Sequence, residues 1–149
     1  MEYIRDGRSP IPEKASVSRV MSRIRGKDTG PELVLRKALR ELGEGGYRLH
    51  WKKAPGRPDI AYPGRKVAIF VHGCFWHACP VCNLPLPRTH TGFWRSKLER
   101  NRERDSSKAR DLEEAGWNVL TVWEHELRDD PRMCARRVIA AMARHPTCP

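Results

Sequence analysis

The sequence predicts an α/β fold in which helices flank a central mixed β-sheet within one domain. The apolar run from Lys66 to His72 has no charged residue after its first position, which is typical of a strand buried on both faces. A short strand and a turn precede this run and favour an antiparallel hairpin, whereas a long helix and another strand follow it and favour a parallel crossover. A chain of 149 residues has room for one such core and not for several.

The N-terminal part of the chain predicts an arm and two helices. Residues 1–15 mix Gly and Pro with charges and predict a flexible or loosely docked arm. Apolar residues then recur at helical spacing over 16–24 with arginines between them, which indicates a short basic amphipathic helix. Thr29 to Glu32 matches a capping box, and the leucine stripe behind it predicts a second helix that stops at Gly43. The stripe consists of Leu35, Leu39 and Leu42.

Three strands are expected in the middle of the chain. Residues 47–51 predict the first and residues 59–62 the second. Pro63 and Gly64 suit the central positions of a type II turn, so we expect the strand over 59–62 to form an antiparallel hairpin with the strand over 66–72.

The C-terminal half predicts a helix, a strand and a helix. Residues 93–115 are typical of a long charged helix, and residues 117–123 of a strand parallel to the central one. A last helix is expected from Pro131 to about Arg144. The single domain is therefore expected over residues 16–145, with a short tail at 146–149.

Charge and composition narrow the class of protein. The chain has 29 Lys and Arg against 18 Asp and Glu, a formal net charge of +11, which indicates a polyanionic partner, with nucleic acid ahead of a membrane surface. An apolar content of 39% with 5 Trp argues against a disordered chain. The longest apolar run is too short to cross a bilayer, and the N-terminus lacks the apolar segment of a signal peptide, so we expect a cytoplasmic protein.

The cysteine spacing predicts a structural zinc loop. Cys79 and Cys82 are two residues apart within the loop that begins at Cys74, a spacing that lets both sulfurs reach one tetrahedral metal. His125 follows a strand parallel to the one before Cys74, so we expect it to be the fourth ligand, whereas Cys134 has the helical spacing of a core residue. A closed Cys3His set leaves no position for substrate. Reduced, buried or redox-active cysteines are the alternative.

A carboxylate at the start of the hairpin introduces a family resemblance. Asp59 ends the run Gly56-Arg57-Pro58-Asp59, and metal-dependent nucleases with a PD-(D/E)xK core have a Pro-Asp pair at this place in a similar hairpin. The run Phe70 to His77, FVHGCFWH, resembles the hallmark of the very-short-patch repair DNA mismatch endonucleases, in which histidines replace the usual acid and lysine. Other matching segments are Met21 to Glu32, Gly56 to Asp59, Thr91 to Trp94, Asn101 to Asp105 and Gly116 to Leu127.

The resemblance implies a fold like that of type II restriction endonucleases and roles for individual residues. Asp59 would bind magnesium together with the backbone carbonyl of Val71, a position at which the family often has threonine. His77 would be the general base that activates water. His72 would orient a metal-bound water or contact the scissile phosphate. Glu32 matches an assisting acidic residue, although its place in the capping box explains it almost as well.

The same resemblance implies a zinc site and a DNA-binding surface. The zinc ligands of the family fall on Cys74, Cys79, Cys82 and His125. Aromatic residues would wedge into the base stack beside a mismatch, and the position of Met21 would enter from the other groove. These aromatic residues are Phe75, Trp76 and Trp94. Lys97 and Asn101 would approach bases and backbone near the mismatch, whereas packing in the core or a solvated face are the structural alternatives for all of these residues.

The implied function is magnesium-dependent nicking of one strand on the 5′ side of the thymine in a T:G mismatch, the product of 5-methylcytosine deamination. The expected partner is double-stranded DNA, with a functional link to a cytosine-5 DNA methyltransferase and to mismatch-repair proteins, and the protein is expected to be a monomer. One alternative is a restriction-type or junction nuclease of the same fold. Another is a zinc-containing DNA-binding module without catalysis.

Overall fold

Four strands form one mixed sheet in the order β1-β2-β3-β4 in the computed structural model, which describes residues 28–144. The strands are β1 (Arg48–Leu49), β2 (Ile60–Tyr62), β3 (Val67–His72) and β4 (Asn118–Trp123). The helices are α1 (Gly30–Glu41), α2 (Thr91–Glu114), α3 (Glu124–Asp129) and α4 (Pro131–Arg144). The predicted α/β class is confirmed, whereas the expected arm, the helix over 16–24 with Met21, and the tail lie outside the described residues.

Strand β3 is the centre of the sheet. It pairs antiparallel with β2, where Ile60 lies opposite Ile69, and parallel with β4 from Val67 to His72. All six residues of β3 are buried. The antiparallel hairpin and the parallel crossover that the sequence predicted are therefore both present.

Alternate residues of β3 enter two different cores, because successive side chains of a strand point to opposite faces. Val67, Ile69 and Val71 pack into a core with residues of α1 and α4. Ala68 and Phe70 face the other core, which α2 closes. The helical contributions to the first core include Leu35, Leu39, Ala135 and Val138, and those to the second include Leu112. The uninterrupted apolar run is thus explained by two helical layers, one on each face.

The hairpin turn differs from the prediction. Pro63 to Arg65 form a 3-10 helix in place of a type II turn, and the amide of Lys66 donates to the carbonyl of Pro63 at 3.2 Å. Tyr62 pairs with Val67, so the loop holds four residues, and loops of that length favour a type I-like turn. The residue with positive φ is Lys66, at 54°, and not Gly64.

Helix α3 was not predicted. Its six residues are too few to show a helical period in the sequence, and it follows β4 without a loop. The Glu126 carboxylate accepts a hydrogen bond of 3.1 Å from the amide of Trp123 and fixes the first turn. The largest changes in predicted bounds are that the first strand shortens to Arg48–Leu49 and that α2 begins at Thr91, whereas the other bounds move by one residue at most.

A buried ion cluster joins α1 to the end of β1. The hydroxyl of Thr29 accepts from the Glu32 amide at 3.5 Å, as a capping box requires. The Glu32 carboxylate, however, accepts from the Asp28 amide at 2.9 Å and from the Arg36 guanidinium at 3.0 Å. Arg36 also donates to Asp28 at 2.7 Å and lies 3.3 Å from His50 Nε2. The cluster therefore fixes His50, which directly follows β1.

The loop before β2 packs closely on α2. Gly56 has φ +72°, and a Cβ at this position would lie 2.8 Å from Cβ of Lys108 and 3.3 Å from its Cα. Only glycine allows both this backbone conformation and this approach. The contact holds the loop that leads into Asp59 against α2.

No helix among residues 28–144 is long and apolar enough to span a membrane.

Substitution of Gly56 tests the close approach of this loop to α2. We expect Gly56→Ala to lower the free energy of unfolding by about 1 to 3 kcal/mol, because the added methyl strains the positive φ and collides with Lys108. Urea denaturation followed by tryptophan fluorescence measures the change. Gly92→Ala is the control, since a Cβ there meets no atom within 4 Å. Equal midpoints for the two variants would contradict the packing described.

Substitution of Glu32 tests the buried ion cluster. Glu32→Gln keeps the side-chain shape but removes the charge that faces buried Arg36, so we expect a loss of about 1 to 3 kcal/mol in unfolding free energy. Glu41→Gln is the control on the same helix, because its exposed carboxylate pairs with exposed Lys37 at 3.9 Å and such pairs contribute below about 0.5 kcal/mol. A Glu32→Gln protein as stable as the control would show that Arg36 does not depend on this carboxylate.

Candidate functional site

Asp59 lies immediately before β2 and faces the end of β3. Its Oδ2 accepts a hydrogen bond of 2.8 Å from the amide of Val71. The amide and carbonyl of one strand residue point to the same side, so the Val71 carbonyl also faces Asp59. A carboxylate and a backbone carbonyl therefore converge at one sheet edge, and both are hard oxygen donors.

The environment of Asp59 favours a bound cation. Burial raises the pKa of this carboxyl above its usual value, whereas the Val71 hydrogen bond and the charges of His50 and Lys108 act in the opposite direction. Asp59 is partly buried, with 21% of its side chain exposed, and a carboxylate with reduced solvation is stabilised by a nearby positive charge. The donor set and the burial thus fit a hard divalent cation at this position.

Two histidines stack beside this edge. The rings of His72 and His77 are parallel within 3°, with centroids 3.9 Å apart. His72 ends β3, and the turn that follows returns the chain so that the His77 amide donates to the Gly73 carbonyl at 3.1 Å. Asp105 of α2 reaches both rings, with one carboxylate oxygen 2.6 Å from His77 Nδ1 and the other 3.8 Å from His72 Nε2.

The protonation of this group follows from its surroundings. Burial, reinforced by the charge of His77, lowers the pKa of His72 to about 4, so His72 is neutral near pH 7. Burial opposes ionisation of Asp105, but the hydrogen bond from His77 holds the pKa of that carboxyl below its usual value. Because Asp105 engages Nδ1 of His77, the Nε2 atom is the one that remains to accept a proton.

His50 lies between Glu32 and Asp59. The Nε2 atom of His50 is 3.7 Å from Glu32 Oε2, and its Nδ1 is 3.9 Å from Asp59 Oδ1. Burial raises the pKa of Glu32, and the charge of Asp59 adds to this effect. Asp28, Glu32 and His50 are close enough to hold a metal ion, but the guanidinium of Arg36 already lies among them.

Sequence reasoning did not select His50 or Asp105. His50 follows a strand of two residues, which leaves no local signal for its role. Asp105 lies one turn after Asn101 on α2, and the segment between them was noted only as part of the resemblance. Residues four apart lie on one face of a helix. The spacing of Asp105 from Asn101 could therefore have indicated that Asp105 faces the site.

The four expected zinc ligands meet beside the turn that joins His72 to His77, and Cys74 lies within that turn. The donor atoms of this Cys-His cluster lie within 4.8 Å of one another. Its members are Cys74, Cys79, Cys82 and His125. Sγ of Cys74 is 3.3 Å from His125 Nδ1 and Sγ of Cys79 is 3.6 Å from it. Cys134 packs in the hydrophobic core, as its helical spacing predicted.

The chemistry of the Cys-His cluster suits a soft metal. Burial raises the pKa of the Cys74 thiol to about 11, and a bound cation would favour its thiolate. Three sulfurs and one imidazole nitrogen are the donors that zinc prefers in tetrahedral sites. The donor set therefore fits zinc and leaves no open coordination position.

Three aromatic rings form a group beside the Cys-His cluster. Ring centroids are 5.2 Å apart for Phe75 and Trp76, and 5.6 Å apart for each of these with Trp94. Trp94 is only 6% exposed, whereas Phe75 and Trp76 are half-buried. The Lys97 ammonium lies 5.7 Å from the Trp76 ring centroid, and the amide of Asn101 donates to the Trp76 carbonyl at 2.8 Å. Helix α2 thus holds the two partly exposed rings in place.

Sequence comparisons identify relatives with known names. The family model described as DNA mismatch endonuclease Vsr matches residues 10–83. The chain is 43% identical over 110 residues to a type II nicking enzyme, V.XorIIP, of Xanthomonas oryzae pv. oryzae, covering 74% of this chain and 80% of the relative. It is 44% identical over 129 residues to the type II nicking enzyme V.NaeI of Lentzea aerocolonigenes, covering 83% and 76%.

A third relative has the mismatch endonuclease name itself. The DNA mismatch endonuclease Vsr of Escherichia coli is 40% identical over 119 residues, which cover 79% of this chain and 75% of the relative. Identity at this level over most of both chains establishes common family membership, in agreement with the mixed sheet and the acid and histidine group at the end of β3. The chain belongs to the Vsr family of DNA mismatch endonucleases.

Proposed function

We propose that this endonuclease nicks one DNA strand on the 5′ side of the thymine in a T:G mismatch produced by deamination of 5-methylcytosine. The observation that carries the proposal is the hydrogen bond from the Val71 amide to Asp59 beside the stacked His72–His77 pair. Strand geometry turns the Val71 carbonyl toward the same side as this amide. A carboxylate and a carbonyl together can bind a metal ion. An imidazole whose ring is fixed by Asp105 can act as a general base. The alternative of a non-catalytic module would need none of these groups.

Asp59 and the Val71 carbonyl are the residues that would hold magnesium. The ion, when bound there, would neutralise phosphate charge and lower the cost of attack on phosphorus. Valine supplies the carbonyl as well as threonine would, because the ligand is the backbone. The partly buried Asp59 carboxylate would gain the cation that its reduced solvation favours.

The two histidines would have separate tasks. His77 would remove a proton from the attacking water at Nε2, since Asp105 orients its ring through Nδ1. His72 would present a neutral ring to the scissile phosphate or to an ordered water, because its low pKa keeps it uncharged. Glu32 would act indirectly, through Arg36 and His50, and not as a metal ligand.

Mismatch preference would arise from the aromatic group. Phe75 and Trp76 expose part of their rings, whereas buried Trp94 supports them. Unstacking a base step costs a few kcal/mol and least at a mispair, so inserted rings select mispaired steps. Lys97 and Asn101 would contact DNA next to these rings, and Met21 remains a sequence-based expectation for the opposite groove.

The Cys-His cluster would bind structural zinc. One ion would join the loop after β3 to α3 and thereby fix the turn that returns His77 over His72. The expected links to a cytosine-5 methyltransferase and to mismatch-repair proteins, the monomeric state and the cytoplasmic location all remain predictions from the sequence.

Strand-specific cutting tests the proposed function. Duplexes that differ only in a T:G or a T:A pair, labelled on either strand and placed in several flanking sequences, are incubated with protein and magnesium. We expect a nick 5′ of the mispaired thymine, none in the opposite strand and none without magnesium. Equal cutting of the T:A duplex would favour the restriction-type alternative, and cutting of both strands would contradict the repair function.

Substitutions at the sheet edge test the assigned roles. We expect His77→Ala to reduce the single-turnover nicking rate roughly 100-fold to 10,000-fold, the contribution typical of a general base. Asp59→Asn removes a proposed metal ligand, and we expect its loss of rate to be at least as large. Affinity for mismatched DNA, measured by fluorescence anisotropy, should remain. Asp111→Asn is the control, because it makes the same chemical change at an exposed position of α2. A His77→Ala protein that cuts at the wild-type rate would exclude His77 as the base.

Metal analysis tests the zinc assignment. Protein purified without added metal should contain about one equivalent of zinc, as a closed tetrahedral site binds it tightly. Cys82→Ser should lower this content and the unfolding midpoint, whereas Cys134→Ala should leave the zinc content unchanged. Less than half an equivalent in the wild type, or equal zinc loss in both variants, would count against the assignment.

A further inference from the structure

Lys108 lies on the face of α2 that meets the site. Asn101, Asp105 and Lys108 are four and then three residues apart, a spacing that brings them to one side of a helix. Asn101 donates to the Trp76 carbonyl, and Asp105 engages His77. The helix face that carries Lys108 is therefore the face that already holds two parts of the site.

The stem of Lys108 packs on the loop that leads to Asp59. A Cβ built on Gly56 would lie 2.8 Å and 3.0 Å from Cβ and Cγ of Lys108. The lysine is half-buried, so its methylene groups are confined between α2 and this loop. Gly56 thus leaves room for the first methylene groups of Lys108 against the loop that leads into Asp59.

The ammonium of Lys108 stands near the acidic groups without being paired to them. Within residues 28–144 it makes no ion pair shorter than 4.0 Å. Burial acts most strongly on the pKa of Asp59 and of Asp105 and raises it, but the charge of Lys108 acts on both in the direction that lowers the pKa. The ammonium therefore lies within electrostatic range of both carboxylates. Its donors therefore remain available for another anion.

A phosphodiester at this edge would need such a cation. A phosphodiester there would lie near the carboxylates of Asp59 and Asp105. The buried guanidinium of Arg36 is already paired with Asp28 and Glu32. We propose that Lys108 is a further catalytic residue that donates to a non-bridging oxygen of the scissile phosphate. It would stabilise the charge that grows on phosphorus as water attacks. The inference rests on the proposed phosphodiester hydrolysis at this edge.

The test compares variants of the full chain on whichever duplex the wild type cuts. Lys108→Met keeps the apolar stem against Gly56 and removes the charge, whereas Lys108→Arg keeps a charge. Arg110→Met makes the same kind of change at an exposed position of α2. Single-turnover nicking rates at saturating protein, dissociation constants for DNA and unfolding midpoints are measured for each.

We expect Lys108→Met to nick roughly 10-fold to 100-fold more slowly, less than the loss of a fully buried donor would cost. Its dissociation constant should change less than its rate, and its unfolding midpoint should stay near that of the wild type. Lys108→Arg should recover most of the rate, and Arg110→Met should match the wild type.

Three results would overturn the assignment of Lys108. They are a Lys108→Met rate within about twofold of the wild type, an equal loss for Arg110→Met, and a loss in Lys108→Met confined to DNA affinity. These outcomes differ from failure of the proposed function. A wild type that cuts T:A and T:G duplexes alike removes mismatch specificity but still allows the Lys108 comparison, whereas a wild type that cuts neither removes both claims.

Discussion

The burial of β3 on both faces is the constraint on which the site depends. Its side chains alternate between a core closed by α1 and α4 and a core closed by α2, so neither the register nor the direction of β3 can change without exposing apolar surface. This arrangement fixes the Val71 amide opposite Asp59 and directs His72 toward Asp105. The same strand end begins the turn that carries His77 and the Cys-His cluster.

Features that depend on element order were predictable from the sequence. The parallel pairing of β3 with β4 followed from the helix between them, and it implied that His125 would approach Cys74, which it does at 3.3 Å. The burial of Cys134 followed from helical spacing. The FVHGCFWH run pointed to the family before the fold was known.

Features that depend on contacts between distant segments were not predictable from the sequence. The bond of Asp105 to His77 joins α2 to a loop, and His50 approaches Asp59 from β1, so neither has a local signal. Arg36 donates hydrogen bonds to Asp28 and Glu32 beside His50. The capping-box pattern alone did not indicate these contacts. Helix α3 is too short for periodicity, and the positive φ at Lys66 reflects a four-residue loop.

Anomalous diffraction from crystals soaked in manganese, a substitute for magnesium, is the sharpest test of the proposed metal site at Asp59. Among residues 28–144, three other groups have donors close enough to hold a metal ion: the Cys-His cluster, His72 with His77 and Asp105, and Asp28 with Glu32 and His50. We expect a manganese peak about 2 Å from a carboxylate oxygen of Asp59 and from the Val71 carbonyl oxygen. We also expect a separate zinc peak among Cys74, Cys79, Cys82 and His125. Manganese at Asp28, Glu32 and His50, or no manganese beside Asp59, would contradict magnesium binding by Asp59 and Val71.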